Sequence, residues 1–336
     1  MRSSLPPRSH KPRGEGLISL LPLSLHAAQM LTLVTACMNR EAHLRQALPV
    51  WLAHAEVGEV IIVDWSNDRP LAELAATDPR VRVIRAVGEP RWILSYAYNL
   101  GVSRASGEVI LKCDSDCLPL AETLILRPGP SHFYAGHWQS GSPLGKPSVN
   151  GQCLFSRAQF DGVNGYSEFI RTYGRDDEDF YDRLAAAGFE RREIPAAQLD
   201  FIAHEHDARM ANQVDAAEPP GIEKVLRKDP LFNELTNMFL AKALPWGPAR
   251  PRAHYESVET GPRWEVVKRE KASELPIPGE VARGARLHAL RRVVAKVVGI
   301  ALDATQRLDE KACLALITNR LQANARAALK RPSAAG

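Results

Sequence analysis

The apolar run Val109-Ile110-Leu111-Lys112-Cys113 ends in Asp114-Ser115-Asp116. Read as a buried strand, it delivers two carboxylates spaced i, i+2, and such residues point to one side of a strand. Just past the strand end both can turn toward one cation. Magnesium and manganese prefer oxygen ligands and bridge one or two carboxylates to a substrate's phosphates. Open α/β sheets bind ligands at the carboxyl ends of their strands, so the pair points to a metal–diphosphate site there. For so short a motif a solvated turn is the alternative.

Two further groups could join such a site. Tyr173-Gly174-Arg175 leads into Asp176-Asp177-Glu178-Asp179 at a helix start. Acids favour the positive end of the helix dipole, which accounts for Asp176, Glu178 and Asp179. Asp177 stands at helical spacing from Tyr181 and Leu184, near the inward face. A carboxylate there either pairs with a basic group such as Arg175 or Arg183, or lines a cleft. His204 closes the apolar run Leu199–Ala203 and is followed by His206 and Asp207. Imidazole serves manganese beside carboxylates. Asp116 with His204 would form a mixed O/N donor set; a hydrogen-bonded core histidine is the other reading.

The elements that must position these residues follow from pattern. Leu31–Ala36, Glu59–Asp64, Val81–Arg85 and Glu108–Cys113 read as strands, with helices from Asn39 through Trp51 and from Leu94 to Ala105 between them. That alternation means βαβ units and a largely parallel sheet. No G-x-G-x-x-G follows the first strand, so a dinucleotide fingerprint is absent. Beyond Pro119 short strands are expected at His132–Gly136, Gly151–Phe155, Phe189–Ile194 and Leu199–Ala203, with a helix from the acid cluster to about Ala187. Residues 208–221 read as a mobile loop. Leu231–Leu244 reads as a helix and Pro245–Pro278, with six prolines, as irregular. Two basic amphipathic helices follow, one on Leu287, Leu290, Val294, Val297 and Ala301, the other on Leu314, Ile317, Leu321, Ala325 and Ala328.

The 336 residues suffice for one large domain with an appendage, and 24% charged with 45% hydrophobic residues is ordinary for a globular chain. The net charge of +4 is unevenly placed: Arg283 to Arg331 holds eleven Lys/Arg and three Asp/Glu. That bias fits a tail for anionic surfaces, or a solvated helix face. Five cysteines without a C-x-x-C pair point to free thiols in a reducing compartment. Residues 17–38 carry no formal charge and follow basic residues, the layout of a signal peptide or anchor. Pro22, Ser24, His26 and Gln29 interrupt the stretch, and its second half is needed as the first strand. Residues 1–29 are expected to be a disordered leader, and Met30 is a candidate start. Residues 30–221 would form the main domain and 222–336 a mostly helical appendage.

In order, these motifs resemble the GT-A glycosyltransferases, and the middle of the chain is similar to the catalytic domain of the β-1,4-galactosyltransferases. Thr35 to Leu44 resembles that family's nucleotide-binding segment, and Asp114-Ser115-Asp116 its metal-binding Asp-x-Asp. Gly151 to Gly188 resembles its donor-sugar and acceptor segment, and Phe201-Ile202-Ala203-His204 the strand ending in its metal-binding histidine. The resemblance implies a GT-A-like α/β fold with a mostly parallel central sheet. It also implies a metal-dependent inverting transferase using Mn2+ or Mg2+; the free thiols make a cytoplasmic location the expectation. The donor would be a nucleotide-diphosphate sugar, UDP-linked, and the acceptor a glycan or a lipid-linked glycan. Nucleic acid is not an expected partner; peripheral membrane contact through the basic helices is.

By the same resemblance Thr35, Ala36, Arg40, Asp64, Asp114, Ser115 and Gly151 would bind the donor, with Arg40 on the diphosphate and Asp64 on the base. Asp116 and His204 would hold the metal, with Asp114 nearby. Asp177 would be the catalytic base, Asp176 would position the acceptor, and Tyr173 and Gly174 would line the acceptor site. Departures stand beside these matches: Tyr173 replaces a stacking Trp, Met38 a basic contact, Phe201 a metal-ligating Met, and Gln152 a Gly. Two rivals remain open, a non-catalytic glycan- or nucleotide-sugar-binding protein and a sugar-1-phosphate nucleotidyltransferase. The latter needs a Gly-rich loop that Thr35–Arg40 lacks.

Overall fold

The computed structural model describes residues 30–203, 211–214 and 222–297, together with 311, 312, 315, 316, 318 and 319. The expected leader and most of the last amphipathic helix lie outside the described residues. The chain opens with β1 (Leu31–Cys37), α1 (Glu41–Leu52), β2 (Val57–Trp65), β3 (Val81–Val87), α2 (Leu94–Arg104) and β4 (Val109–Lys112). β1 pairs in parallel with both β2 and β4, and β2 with β3. All seven residues of β1 are buried, so its apolar residues fall on both faces and only Thr32 and Thr35 interrupt them. Val34 and Ala36 pack into the layer that holds α2, whereas Leu31, Leu33 and Cys37 pack with Leu44, Leu48 and Trp51 of α1. Each fully buried side chain of this size contributes roughly 1.5–3 kcal/mol, so helices on both faces hold the sheet rigid.

Past β4 come β5 (Cys117–Pro119), β6 (His132–Ala135), β7 (Cys153–Ser156), α3 (Arg157–Gly162), α4 (Asp176–Ala186), β8 (Glu190–Glu193) and β9 (Leu199–Phe201). β7 runs antiparallel to β4 and β6, and β8 runs parallel to β6. β5 and β9 form a separate antiparallel pair. Ser156 caps α3 through a capping box with Gln159, fixing the turn that returns the chain toward α4.

The last described elements are α5 (Pro230–Ala243), β10 (Tyr255–Gly261), β11 (Trp264–Arg269) and α6 (Gly279–Val297). β11 pairs in parallel with β3 and antiparallel with β10, completing a nine-stranded, mostly parallel sheet in the order β10-β11-β3-β2-β1-β4-β7-β6-β8. This corrects the expectation that Pro245–Pro278 is irregular, and it carries the main sheet beyond residue 221. The prolines flank the hairpin or, as Pro262, sit in its turn beside Arg263 at φ 67°, where a missing backbone donor costs nothing.

Candidate active site

A cavity of about 590 Å³ opens where β1 and β4 end, within the roughly 300–1,000 Å³ usual for small-molecule sites. Ala36 and Arg40 line it from the β1–α1 loop, and Asp114, Ser115 and Asp116 from the end of β4. Gly151 lines it ahead of β7, and Tyr173, Gly174, Asp176 and Asp177 from the start of α4. Residues more than a hundred positions apart therefore line one cavity.

Two expected contacts do not reach it. Thr35 is buried and Asp64 is 0% exposed, and neither lines the cavity. Asp64 is committed to its own turn: Oδ1 accepts from Asn67 N and Nδ2 at 3.1 and 2.7 Å, and Oδ2 from Leu71 N and Arg85 at 2.9 and 2.7 Å. Asn67 in turn donates to Cys37 O and accepts from Asn39 N. Asp64 thus braces the loop that carries Arg40 instead of facing a nucleotide base.

Asp114 is held from several sides. Its amide donates to Gln152 Oε1 at 3.0 Å, and Gln152 Nε2 donates back to Oδ2 at 3.2 Å. This clasp is what glutamine adds at a position where the resembled family has glycine. A Cβ on Gly151 would sit 2.4 Å from Asp114 Oδ2, so a side chain at residue 151 would have to displace that carboxylate.

Beneath both acid groups lies Lys112, 0% exposed and absent from the sequence expectations. Its ammonium donates to Gly151 O at 2.6 Å and Asp114 Oδ1 at 2.9 Å, and stands 3.3 Å from Asp177 Oδ1. Burial opposes the charge, but Asp114 and Asp177 outweigh it and hold the lysine pKa well above its usual value. The signal was a cation inside an apolar strand, a residue that stays buried only with partners.

Asp177 lines the cleft and pairs with Lys112, rather than with Arg175 or Arg183. Its Oδ1 also lies 3.3 Å from the Tyr166 hydroxyl, while Oδ2 takes no hydrogen bond among the described residues. Burial pushes its pKa well above the ordinary aspartate value, against the pull of Lys112. Burial also lifts Asp176 to about 7, again with Lys112 opposing. A carboxylate so lifted is a stronger base than one in water.

Asp116 is buried, lines the cavity, and has Oδ2 3.8 Å from Arg40 Nη1. Ile202 N donates to Asp116 O at 2.8 Å, so β9 reaches this acid two residues short of His204, which lies outside the described residues. Among the described residues no three His, Cys, Asp or Glu side chains group as a metal site. The oxygen of Asp116 and the approach of β9 fit a divalent ion whose donor set would be completed from beyond Ala203.

Other wall residues escaped the sequence reading. Trp92, Trp138 (half exposed) and Glu234 line the cavity. Asn237 on α5 donates to the carbonyls of Thr172, Tyr173 and Gly174 at 3.1, 3.2 and 2.7 Å. Where a mobile loop was expected, the described turn Ala211–Gln213 is docked: Asn212 bonds to Met38 O and to Trp92 N.

Two family descriptions match in tandem: glycosyl transferase family 2 over residues 32–125, and the N-terminal domain of galactosyltransferase over residues 132–207. No curated protein matches the chain. Among solved structures, the catalytic domain of Drosophila β1,4-galactosyltransferase 7 in complex with xylobiose is similar. It is 17% identical over 72% of this chain and 92% of that one, with a TM-score of 0.45. Mannosyltransferase PcManGT from Pyrobaculum calidifontis, in complex with GDP-Man and Mn2+, is 16% identical over 90% and 81%, also at 0.45. The tandem matches carry the β4-end acids in one segment and the α4 acids in the other. The two matches in tandem make the chain an enzyme of the glycosyltransferase class.

Proposed function

We propose that this glycosyltransferase moves a sugar from a nucleotide-diphosphate donor, UDP-linked, to a hydroxyl of a glycan or glycolipid, inverting the anomeric carbon. The observation that carries the reading is the meeting of Asp114 and Asp116 with Asp177 on one cavity wall. Arg40 lies beside Asp116 and would meet the diphosphate, and Tyr173 and Gly174 border the acceptor side. Asp116, with His204, would hold Mn2+ or Mg2+. When bound, that ion supplies positive charge for the departing diphosphate.

Asp177 Oδ2 takes the proton of the acceptor hydroxyl as that oxygen attacks the anomeric carbon. The bond from that carbon to the diphosphate oxygen breaks, and its electron pair leaves with the nucleotide. Such base assistance is worth roughly 10²–10⁴ in rate. One displacement by one base inverts the centre. The turn of Asn212 and Gln213, held to Trp92 N and Met38 O, lines the cavity and would limit water there, which would spare the sugar from hydrolysis.

The catalytic unit in this reading extends past residue 221, because α5 contributes Glu234 and holds the 172–174 segment. No described helix is long and apolar enough to cross a membrane. The exposed basic face of α6 makes a peripheral contact with anionic lipid, on the cytoplasmic side.

The test is a scan of UDP- and GDP-sugars with manganese or magnesium against glycan acceptors. It reads nucleotide release and the anomeric configuration of the product. Metal-dependent release with an inverted product is expected. A retained configuration would overturn the single displacement, and silence across all donors would overturn the activity.

A further inference from the structure

We infer that Lys112 is a positioning residue that sets the distance between the donor floor and the base Asp177; the inference rests on the transferase reading above. Taking an ammonium out of water costs several kcal/mol unless acceptors replace the water. At Lys112 two hydrogen bonds and one further ion pair do so. The ammonium has three N–H groups, and three acceptors surround it. They are Asp114 Oδ1 at 2.9 Å, Gly151 O at 2.6 Å and Asp177 Oδ1 at 3.3 Å. The ring of Tyr98 covers the remaining side, its centroid 4.7 Å away.

These acceptors come from three places in the chain: the end of β4, the turn before β7 and the start of α4. One buried cation therefore ties the acid beside the donor to the acid that faces the acceptor. Lys112 and the Tyr166 hydroxyl both meet Asp177 at Oδ1, which turns Oδ2 to the proton it takes. Stability alone does not call for a lysine here, since replacing a buried ion pair with packed apolar groups is often neutral. Placing a general base does, because a small misplacement of reacting groups slows the reaction steeply.

The test is a double-mutant cycle on the full chain with Lys112→Met, Asp177→Asn and the pair, using radiolabelled donor and long incubations. In the parent background Lys112→Met should lower kcat about 100-fold, within the range of base catalysis, with donor KM changed less than about threefold. In the Asp177→Asn background the same change should alter kcat less than about threefold, because residues acting as a unit are non-additive. Equal losses in both backgrounds, a kcat within threefold of the parent, or a loss confined to donor KM would overturn the role. Lys112→Gln keeps neutral N–H donors; it should retain more kcat than Lys112→Met and carries the same cycle if the methionine variant aggregates. A parent inactive with every donor would sink the transferase reading, and this inference with it. An active parent with an additive cycle sinks this inference alone.

Discussion

Burial decides the pH range in which the two acids at the start of α4 can work. Asp177 is lifted by desolvation, with Lys112 opposing and Asp176 adding to the lift. A base must be unprotonated, so transfer should fail on the acid side at a pH well above the ordinary aspartate value of 3.8. Asp177→Asn should lower transfer by roughly 10²–10⁴ at all pH values while donor titration still shows binding. The acid limb of kcat/KM in Asp176→Asn should move to lower pH; a limb near 4 in the parent would contradict the assignment. Asp176 also has a stability consequence. Folded, it keeps its proton up to about 7, whereas the unfolded chain releases it near 3.8. The folded state holds the extra proton between those values, so stability is highest below them and falls as pH rises to about 7. Asp176→Asn, with no proton to lose, should melt several degrees above the parent at pH 8. The gap should close by pH 4, and a pH-independent gap in scanning calorimetry would refute the account.

Elements carry the next constraint, because the 172–174 segment has no strand or helix of its own until α4. Asn237 of α5 supplies the missing frame by donating to three successive carbonyls. Asn237→Ala should cost about 1–3 kcal/mol for the carbonyls left without a donor and raise acceptor KM more than donor KM; an unchanged acceptor KM would rule out the clamp. Gly151→Ala acts from the other side. Its Cβ would press on Asp114 Oδ2, so donor affinity should drop about tenfold or more in a nucleotide-sugar titration, and ordinary donor binding would show that the turn gives way. The strands and helices that place these residues were legible because burial on one or both faces writes itself into the sequence as a period. β1 through β4, α4 and the cavity acids follow from that pattern. Asp64 did not, since a strand-end carboxylate looks the same whether it braces a turn or meets a ligand. The β10–β11 hairpin was hidden by its flanking prolines, and its pairing with β3 joins residues some 180 apart in the chain. Asn237 and Lys112 act through partners that no local spacing encodes.

At the scale of the molecule, charge and shape separate. The described body carries the cavity at the strand ends, while Arg283 to Arg331 concentrates eleven Lys/Arg against three Asp/Glu. On α6 the residues Arg283, Arg286, Leu287 and Leu290 are exposed at spacings of three and four, so they share a face. Leu287 and Leu290 are 41% and 43% exposed, and Ala285 and Ala289 turn inward, the latter onto Phe232 and Leu235 of α5. Two leucines beside two arginines on an outward face are poorly served by water alone. They suit a surface with acyl chains beneath anionic head groups, where each basic residue near the surface contributes roughly 1 kcal/mol. The full chain should therefore sediment with vesicles containing phosphatidylserine or phosphatidylglycerol, and not with phosphatidylcholine alone. Arg283→Glu with Arg286→Glu should weaken that binding at least tenfold, since both charges reverse, and leave transfer to a soluble acceptor unchanged. Leu287→Ala with Leu290→Ala should weaken it by a salt-independent amount, the apolar share. Equal sedimentation with neutral and anionic vesicles, or binding untouched by the charge reversal, would show that this face is only solvated.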